Sequence, residues 1–253
     1  MKQFTVDELT VTVWADAATA ARQAAQQAAA RLQAAIAQRG AAAAIFATGQ
    51  TQIPLLAALT ATPGLDWSRI TGFHLDEYLG LAADHPASFR RYLRDHLTRR
   101  VTCQAFHWLE GDCPQPLAEC DRYTQLLQAQ PLDLCCLGIG ENGHLAFNEP
   151  HLADPADPYW VKLVKLEARN RQQQVRQGWF PSLAAVPSYA FTLTLPAIAS
   201  ARYPLGLALG SRKAAVVQAL LYGPISAACP ASFLRQQVGA ELHLDQAAWT
   251  PAP

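Results

Sequence analysis

One pattern constrains the fold of this 253-residue chain more than any other: short apolar runs end in polar loops and are followed by helical patterns. Four such runs lie at 41–47, 70–75, 132–137 and 205–209. Continuous apolar runs of about five to seven residues are typical of parallel strands that are buried on both faces. Strands that alternate with helices indicate right-handed crossovers. We therefore predict an α/β fold, a doubly wound, Rossmann-like and mostly parallel sheet with helices on both faces.

Helical patterns fill the segments between these runs. They cover residues 16–38, a segment that begins near Pro54, and residues 89–97, 117–128 and 214–222. A proline-punctuated stretch at 151–187 contains a basic, glutamine-rich helix, and a long insertion of this kind is often a lid or an oligomer contact. We predict one domain over residues 1–253, with a lid or insertion at about 151–187.

Composition narrows the function classes. Twenty basic residues balance twenty acidic ones, so bulk charge directs the protein neither to nucleic acid nor to a membrane surface. No apolar run reaches the roughly 18 residues of a membrane span, and Met1 to Thr10 lacks the apolar core of a signal peptide. The six cysteines show no paired spacing of a disulfide or zinc site, and Cys135 and Cys136 fit a strand core. We expect a cytoplasmic protein that uses no metal and no cofactor.

The loops after the four runs carry the chemistry. In a parallel sheet every strand delivers its following loop to the same edge, where ligands of such sheets bind. The polar residues that should converge there are Thr48, Gly49 and Thr51, then Asp76 and Glu77, then Asn142, His144 and Glu149, and finally Ser211, Arg212 and Lys213.

Asp76 and His144 are the acid–base candidates. A partly desolvated carboxylate at Asp76 could serve as a general base, although position alone equally fits an N-cap of the next helix. Glu77 beside it is interpreted as a surface or supporting group. The imidazole of His144 can carry a proton in either direction, and Glu149 lies close enough along the chain to orient it. A lone loop histidine is usually structural, but the flanking glycines, which permit close approach to a ligand, favour a site.

Two other loops are suited to an anion. "ATGQT", residues 47–51, precedes a helix and would expose backbone N–H groups and hydroxyls to a phosphate. "GSRK", residues 210–213, places Lys213 in the first turn of a helix, where a cation opposes the helix dipole unless an anion is bound. The alternative interpretation of this pair is a solvated Arg-Lys surface.

At these loops the sequence resembles the glucosamine-6-phosphate deaminase/isomerase family. The resemblance runs from about residue 40 to 245 and is weakest at 151–185. The segments that carry it are "HLDEYLGLAADHPASFRRYL" (74–93), "LGIGENGHLAFNEP" (137–150), "VPSYAFTLTLPAI" (186–198) and "LGSRKA" (209–214). The second segment is highly specific, because the related 6-phosphogluconolactonases share its Gly-His core and lack the Phe-Asn-Glu-Pro continuation.

The resemblance implies ring opening of an aminosugar phosphate, aldose-to-ketose isomerisation and loss of ammonia. Asp76 would move the proton between C2 and C1 through an enolamine, and His144 would open the ring. Asn142 and Glu149 would hold the imidazole of His144. The phosphate-binding residues would be Thr48, Gly49, Gln50, Thr51, Lys213 and one of three lid arginines, Arg169, Arg171 or Arg176.

The chain departs from the family pattern on the substrate-binding side. Gln50 stands where the family has a small residue, Asn142 stands where several members have aspartate, and the register of the lid arginine is not fixed. We therefore expect an aminosugar phosphate such as glucosamine 6-phosphate or galactosamine 6-phosphate as the ligand. The alternatives are a 6-phosphogluconolactonase-like hydrolase and a sugar-phosphate sensor without turnover. The expected assembly is a monomer or a simple homo-oligomer.

Overall fold

The computed structural model describes residues 1–176 and 178–249, without the side chains of Arg169 and Gln173. Residues 250–253 of the predicted domain, and the predicted phosphate contact of the Arg169 side chain, lie outside the described residues. Among the described helices, none combines the length and apolar character that crossing a membrane requires.

Eleven strands are described, and the four predicted runs correspond to β3, β4, β7 and β10. The strands are β1 (Lys2–Val6), β2 (Leu9–Trp14), β3 (Ala42–Phe46), β4 (Ile70–His74), β5 (Asp76–Tyr78), β6 (Ala105–Phe106), β7 (Leu134–Gly138), β8 (Val161–Lys165), β9 (Tyr189–Leu193), β10 (Tyr203–Ala208) and β11 (Glu241–Asp245). Eight of them form one sheet in the order β1-β2-β11-β10-β7-β3-β4-β6. Only β1 and β2 pair antiparallel in it, and every other neighbour pair is parallel.

Helices cover both faces of this sheet, which confirms the predicted doubly wound α/β fold. They are α1 (Ala17–Arg39), α2 (Gln52–Thr60), α3 (Phe89–Leu93), α4 (Pro116–Gln128), α5 (Ala168–Arg176), α6 (Leu195–Ala199) and α7 (Ala214–Tyr222). The predicted 89–97 helix is α3 continued by a π-helical turn at Arg94–Thr98. α2 begins at Gln52, so Pro54 lies in its first turn. Proline is tolerated there, because the N–H group that it lacks would have no partner within the helix.

Alternate residues of the central strands enter two separate cores. Ala43 and Ile45 of β3 pack into the core that includes α4, α6 and α7, whereas Ala44 and Phe46 pack into the core under α1 and α2. Burial on both faces is the reason that these strands are continuous apolar runs. Cys135 and Cys136 of β7 are divided between the two cores in the same way, as the sequence predicts for small core residues.

The strand order places a switch point between β3 and β7. From β3 the chain continues to β4 and β6 on one side, whereas from β7 it continues to β10 and β11 on the other. The loops after β3 and β7 therefore lead to opposite sides and leave a crevice at the carboxyl edge, where ligands of such sheets bind.

A second, three-stranded antiparallel sheet in the order β5-β9-β8 was not predicted. Asp76 is the first residue of β5 and lies opposite Thr192 of β9. The alternative interpretation of Asp76 as a helix N-cap is therefore wrong, because the chain enters a strand and not a helix at this point. Tyr78, Phe147, Phe180 and Ala190 belong to the apolar cluster that packs on this small sheet.

Candidate active site

A cavity of about 610 Å³ lies at the switch point. The structure brings residues from all four predicted loops to its wall: Thr48, Gly49, Gln50, Thr51, Asp76, Glu141, His144, Arg212 and Lys213. Asn142 and Glu149 contact His144 from behind that wall. The loops that the sequence predicted to converge thus share one small-molecule-sized space.

The hydrogen bonds around His144 determine its tautomer. Glu149 is buried and only accepts hydrogen bonds when ionised, so Asn142 must direct its Nδ2 to Glu149 Oε2. Asn142 Oδ1 then faces His144 Nδ1 at 2.7 Å, and Glu149 Oε1 lies 3.1 Å from the same nitrogen. Because both neighbours of Nδ1 are acceptors, Nδ1 carries the hydrogen and Nε2 carries the lone pair. The imidazole is prepared to accept a proton at Nε2.

Glu149 keeps its negative charge in this network. Burial alone would raise the pKa of Glu149, but hydrogen bonds from His144, Asn142 and Asn170 lower that pKa to about 2. A carboxylate behind the imidazole stabilises the imidazolium that forms when Nε2 takes a proton. The amide at Asn142 adds orientation without adding charge.

Two glycines make room for this arrangement. A Cβ on Gly140 would lie 2.4 Å from the ring of His144, so any side chain there would displace the imidazole. Gly143 has φ +85°, a left-handed backbone conformation, and its Cβ would lie 2.6 Å from Cys229 Sγ. The glycine spacing of the loop is thus explained by the close approach of His144 and Cys229.

Asp76 enters the cavity from the small sheet. It is 8% exposed, and burial, reinforced by the neighbouring carboxylate of Glu77, raises the pKa of Asp76 well above its ordinary value. A raised pKa makes the ionised form a stronger base than an ordinary aspartate.

Glu77 is fully buried, so the surface alternative in its interpretation is wrong, whereas its contacts fit the alternative of a supporting group. Its carboxylate accepts hydrogen bonds from the Ser88 hydroxyl and from the backbone N–H groups of Tyr78, Phe89 and Arg90. Arg90 Nε lies 3.5 Å from Glu77 Oε2, and the same guanidinium also binds Glu110 and Asp112. Glu77 therefore holds the turn before α3 against β5, and the same turn forms part of the cavity wall.

Thr192 connects the two acid–base candidates, and the sequence did not single it out. It lies opposite Asp76 in the small sheet, while its hydroxyl accepts a hydrogen bond of 3.0 Å from the backbone N–H of Phe147. Asn148 of the same loop donates to the Leu193 carbonyl at 2.7 Å. β9 thereby fixes the loop that carries His144 relative to the strand that carries Asp76.

The opposite wall is formed by the loop after β3 and by Lys213. Gly49 has φ +104°, and its carbonyl accepts hydrogen bonds from the Tyr92 hydroxyl at 2.7 Å and from the Gln52 N–H at 3.0 Å. Lys213 Nζ donates to the Ile139 carbonyl at 2.6 Å, and burial lowers the pKa of Lys213. These contacts place an ammonium and the start of α2 at one cavity.

The described lid arginines do not line the cavity. The Arg171 guanidinium donates to the carbonyls of Leu183 and Val186 at 2.7 and 2.8 Å, and Arg176 is exposed. Arg91 and Arg212 are the arginines that do line the cavity, among the described residues. Residues of the 151–187 segment that reach it are Asn170, Gln174 and Trp179.

The fold and the site define an α/β protein whose ligand site lies at the carboxyl edge of a parallel sheet. The model of the glucosamine-6-phosphate isomerase/6-phosphogluconolactonase family matches residues 15–244, and the chain belongs to this family. The resemblance found in the sequence is thereby confirmed.

Curated relatives share a third or more of the aligned residues. A glucosamine-6-phosphate deaminase of an Exiguobacterium species is 36% identical over 203 residues, 80% of this chain and 78% of that protein. The enzyme of the same name from Lysinibacillus sphaericus is 39% identical over 189 residues, 75% of this chain and 83% of its own.

Solved structures extend the likeness over nearly the whole chain. One described as a monomeric glucosamine-6-phosphate deaminase superimposes with a TM-score of 0.85 at 31% identity, covering 94% of this chain and 98% of that one. A 6-phosphogluconolactonase from Shewanella baltica has a TM-score of 0.78 at 22% identity, covering 96% and 99%, and shows the shared fold.

Proposed function

We propose that this protein is a glucosamine-6-phosphate deaminase, which converts the aminosugar phosphate and water to a ketose 6-phosphate and ammonia. The observation that carries the proposal is the pairing of two proton carriers at one cavity: an imidazole with its Nε2 lone pair available, and a buried carboxylate of raised pKa. The deaminases that this chain resembles support the choice of substrate.

Ring opening is assigned to His144. Its Nε2 takes the proton of the anomeric hydroxyl as the bond between C1 and the ring oxygen breaks, and the proton is delivered to that oxygen. Glu149 stabilises the transient imidazolium, and Asn142 keeps Nδ1–H directed away from the sugar.

Isomerisation is assigned to Asp76. The open-chain aldehyde acidifies the proton on C2, and Asp76 removes it while a proton of the substrate ammonium passes to O1, which gives an enolamine. The carboxylic acid so formed returns the proton to C1, which leaves an iminium group at C2. Water adds to this iminium carbon and the bond between C2 and nitrogen breaks, which leaves a ketone and releases ammonia in its protonated form. The buried position of Asp76 favours removal of the C2 proton, since the neutral acid is stabilised there.

Phosphate binding is assigned to residues 48–51 and Lys213. Backbone N–H groups at a helix start and an ammonium together bind a dianion through charge-assisted hydrogen bonds. Arg212, exposed beside Lys213, is a better placed guanidinium than Arg171, because the latter is occupied by two carbonyls. Residues 151–187 are proposed to act as a lid over this site, and all the assigned residues belong to one chain.

The test is ammonia release from glucosamine 6-phosphate and galactosamine 6-phosphate, with 6-phosphogluconolactone as the competing substrate. We expect ammonia from an aminosugar phosphate, and a strongly reduced rate of ammonia release in Asp76→Asn, which should still bind the substrate. Lactone hydrolysis without ammonia release would favour the hydrolase, and phosphosugar binding without any turnover would favour the sensor.

A further inference from the structure

Helix α5 is attached to the rest of the protein by several polar contacts and by Val175, which packs partly buried against the apolar cluster on the small sheet. None of its side chains, among those that the structure describes, is fully buried. Arg171 holds it to the segment at Leu183–Ala185 and Val186, and Glu167 just before the helix lies 3.2 Å from His151. Polar contacts therefore contribute more to the position of α5 than they do for the core helices, whose apolar residues are fully buried.

One residue of α5 reaches the charged network behind His144. Asn170 Nδ2 donates a hydrogen bond of 2.9 Å to Glu149 Oε1. The same oxygen lies 3.1 Å from His144 Nδ1. Asn170 and His144 thus share one carboxylate oxygen, although they come from different segments of the chain.

The orientation of the Asn170 amide follows from its partner. An ionised carboxylate only accepts hydrogen bonds, so the NH₂ group must face Glu149 and the carbonyl oxygen must face away. That Oδ1 is buried and has no hydrogen-bond partner among the described residues, and Asn170 lines the cavity. A group that meets this oxygen has to be a donor, which a hydroxyl or an ammonium of an aminosugar is and a phosphate dianion is not.

We propose that Asn170 is a positioning residue that links the place of α5 to the state of His144, and that its Oδ1 accepts a hydrogen bond from a hydroxyl or ammonium group of the sugar. The substrate half of this inference rests on the proposed function, whereas the link to His144 does not. With α5 in this position, Asn170 does two things at once: it offers an acceptor to a donor group of the sugar, and it holds the Glu149 carboxylate in place.

The link has a measurable consequence for His144. While Asn170 donates a hydrogen bond to Glu149 Oε1, this bond offsets part of the negative charge of the oxygen. The carboxylate then stabilises protonated His144 less. Without this donor Glu149 interacts more strongly with protonated His144, and the imidazole titrates at higher pH. The other charged or titratable groups that line the cavity from neighbouring elements, all unchanged by a substitution at 170, are Asp76, Tyr78, Arg91, Tyr92, Asp95, His96, Glu141, Arg212 and Lys213.

The experiment compares Asn170→Ala and Asn170→Asp with Gln172→Ala, an exposed position on the same helix. The titration of the His144 ring is followed by NMR without substrate, and His144→Gln identifies its signal among the seven histidines. We expect the His144 midpoint to rise in Asn170→Ala, to rise further in Asn170→Asp, which adds a negative charge, and to stay in place in Gln172→Ala. Equal midpoints in all three variants would overturn the link.

Steady-state kinetics with glucosamine 6-phosphate test the sugar contact. Asn170→Ala loses both functions, so kcat should fall and KM should rise, each about tenfold. Asn170→Asp keeps an acceptor oxygen, so kcat should fall while KM stays near that of the unchanged protein. A KM that is the same in Asn170→Ala and Gln172→Ala would overturn the sugar contact. Failure of the unchanged protein to release ammonia would instead reject the proposed function, and the NMR result would still decide the link.

Discussion

The two walls of the cavity differ in how firmly their polar groups are held. The acid–base wall comprises Asp76, Asn142, His144 and Glu149. On this wall both ends of the Asn142 amide are hydrogen-bonded, one to His144 and the other to Glu149, and β9 holds the loop of His144 against β5. On the phosphate wall (residues 48–51 and Lys213), Gly49 and Gln50 are exposed. Proton transfer needs a fixed direction and a fixed tautomer. A phosphate dianion has oxygens on every side and tolerates several arrangements of donors.

The largest expected effect lies on the acid–base wall, at Asp76→Asn. The amide cannot take the C2 proton, so kcat for ammonia release should fall by about 10³-fold. The folded protein should become more stable at neutral pH. Since the pKa of Asp76 is raised in the folded state, its contribution to stability is present below about pH 3.8 and is lost as pH rises through the folded-state pKa. Thermal unfolding should therefore give a higher Tm for the variant.

The exposed Asp84→Asn is the control for this substitution, and neither kcat nor Tm should change in it. In the unchanged enzyme, kcat/KM should decline with falling pH through the raised pKa of Asp76, well above the range of ordinary carboxyl groups. A lower Tm in Asp76→Asn, or an acid limb near pH 4, would contradict the assignment of a buried carboxylate with a raised pKa.

The next effect in size is expected for Gly140→Ala. Its Cβ would lie 2.4 Å from His144 Cε1, so the ring must move, and kcat should fall by about 10²-fold. The backbone of Gly140 is not in the left-handed region, so folding itself should be little affected. Gly138→Ala, whose Cβ would meet nothing closer than 3.9 Å, is the matched comparison on the same segment. Equal kcat in the two variants would show that the position of His144 is not critical.

Substitutions on the phosphate wall should act on KM. Lys213→Ala removes one charge-assisted contact and should raise KM for glucosamine 6-phosphate by about 10- to 100-fold while kcat changes little. Arg212→Ala should raise KM less, because its exposed guanidinium is more fully screened. A loss of kcat at constant KM in Lys213→Ala would place this ammonium on the acid–base wall instead.

The smallest effect is expected for Gln50→Gly. The exposed side chain must become ordered or move aside when phosphate binds, so its removal should lower KM by about threefold with kcat unchanged. Initial rates over a range of glucosamine 6-phosphate concentrations measure both constants. A rise in KM would show that the Gln50 amide itself binds the substrate.

The sequence predicted those strands and loops whose signal lies within a few consecutive residues. β3, β4, β7 and β10 could be found because burial on both faces leaves a continuous apolar run, and their loops could be assigned to one edge by topology alone. β5 could not, since it has three residues and its partner β9 lies far along the chain. The choice between a surface and a supporting role for Glu77 could not be made for a related reason: charged residues are seldom buried, and the groups that compensate Glu77 become its neighbours only in the folded structure.

In the candidate site, too, contacts within one loop could be predicted, whereas contacts between distant segments could not. His144 and Glu149 could be paired from their spacing within one loop. Asn170 could not, because nothing in a glutamine-rich helix distinguishes one amide that meets Glu149 from those that face solvent.

Thr192 has a consequence for protein engineering. The segment from Gly138 to Glu149 looks transferable, since it is short and begins at the end of a strand. Its conformation nevertheless depends on a hydroxyl and a carbonyl of β9, which bind Phe147 and Asn148. A donor loop grafted onto another parallel sheet would arrive without this support, so a transplant that is meant to keep the imidazole in place has to include β9 as well.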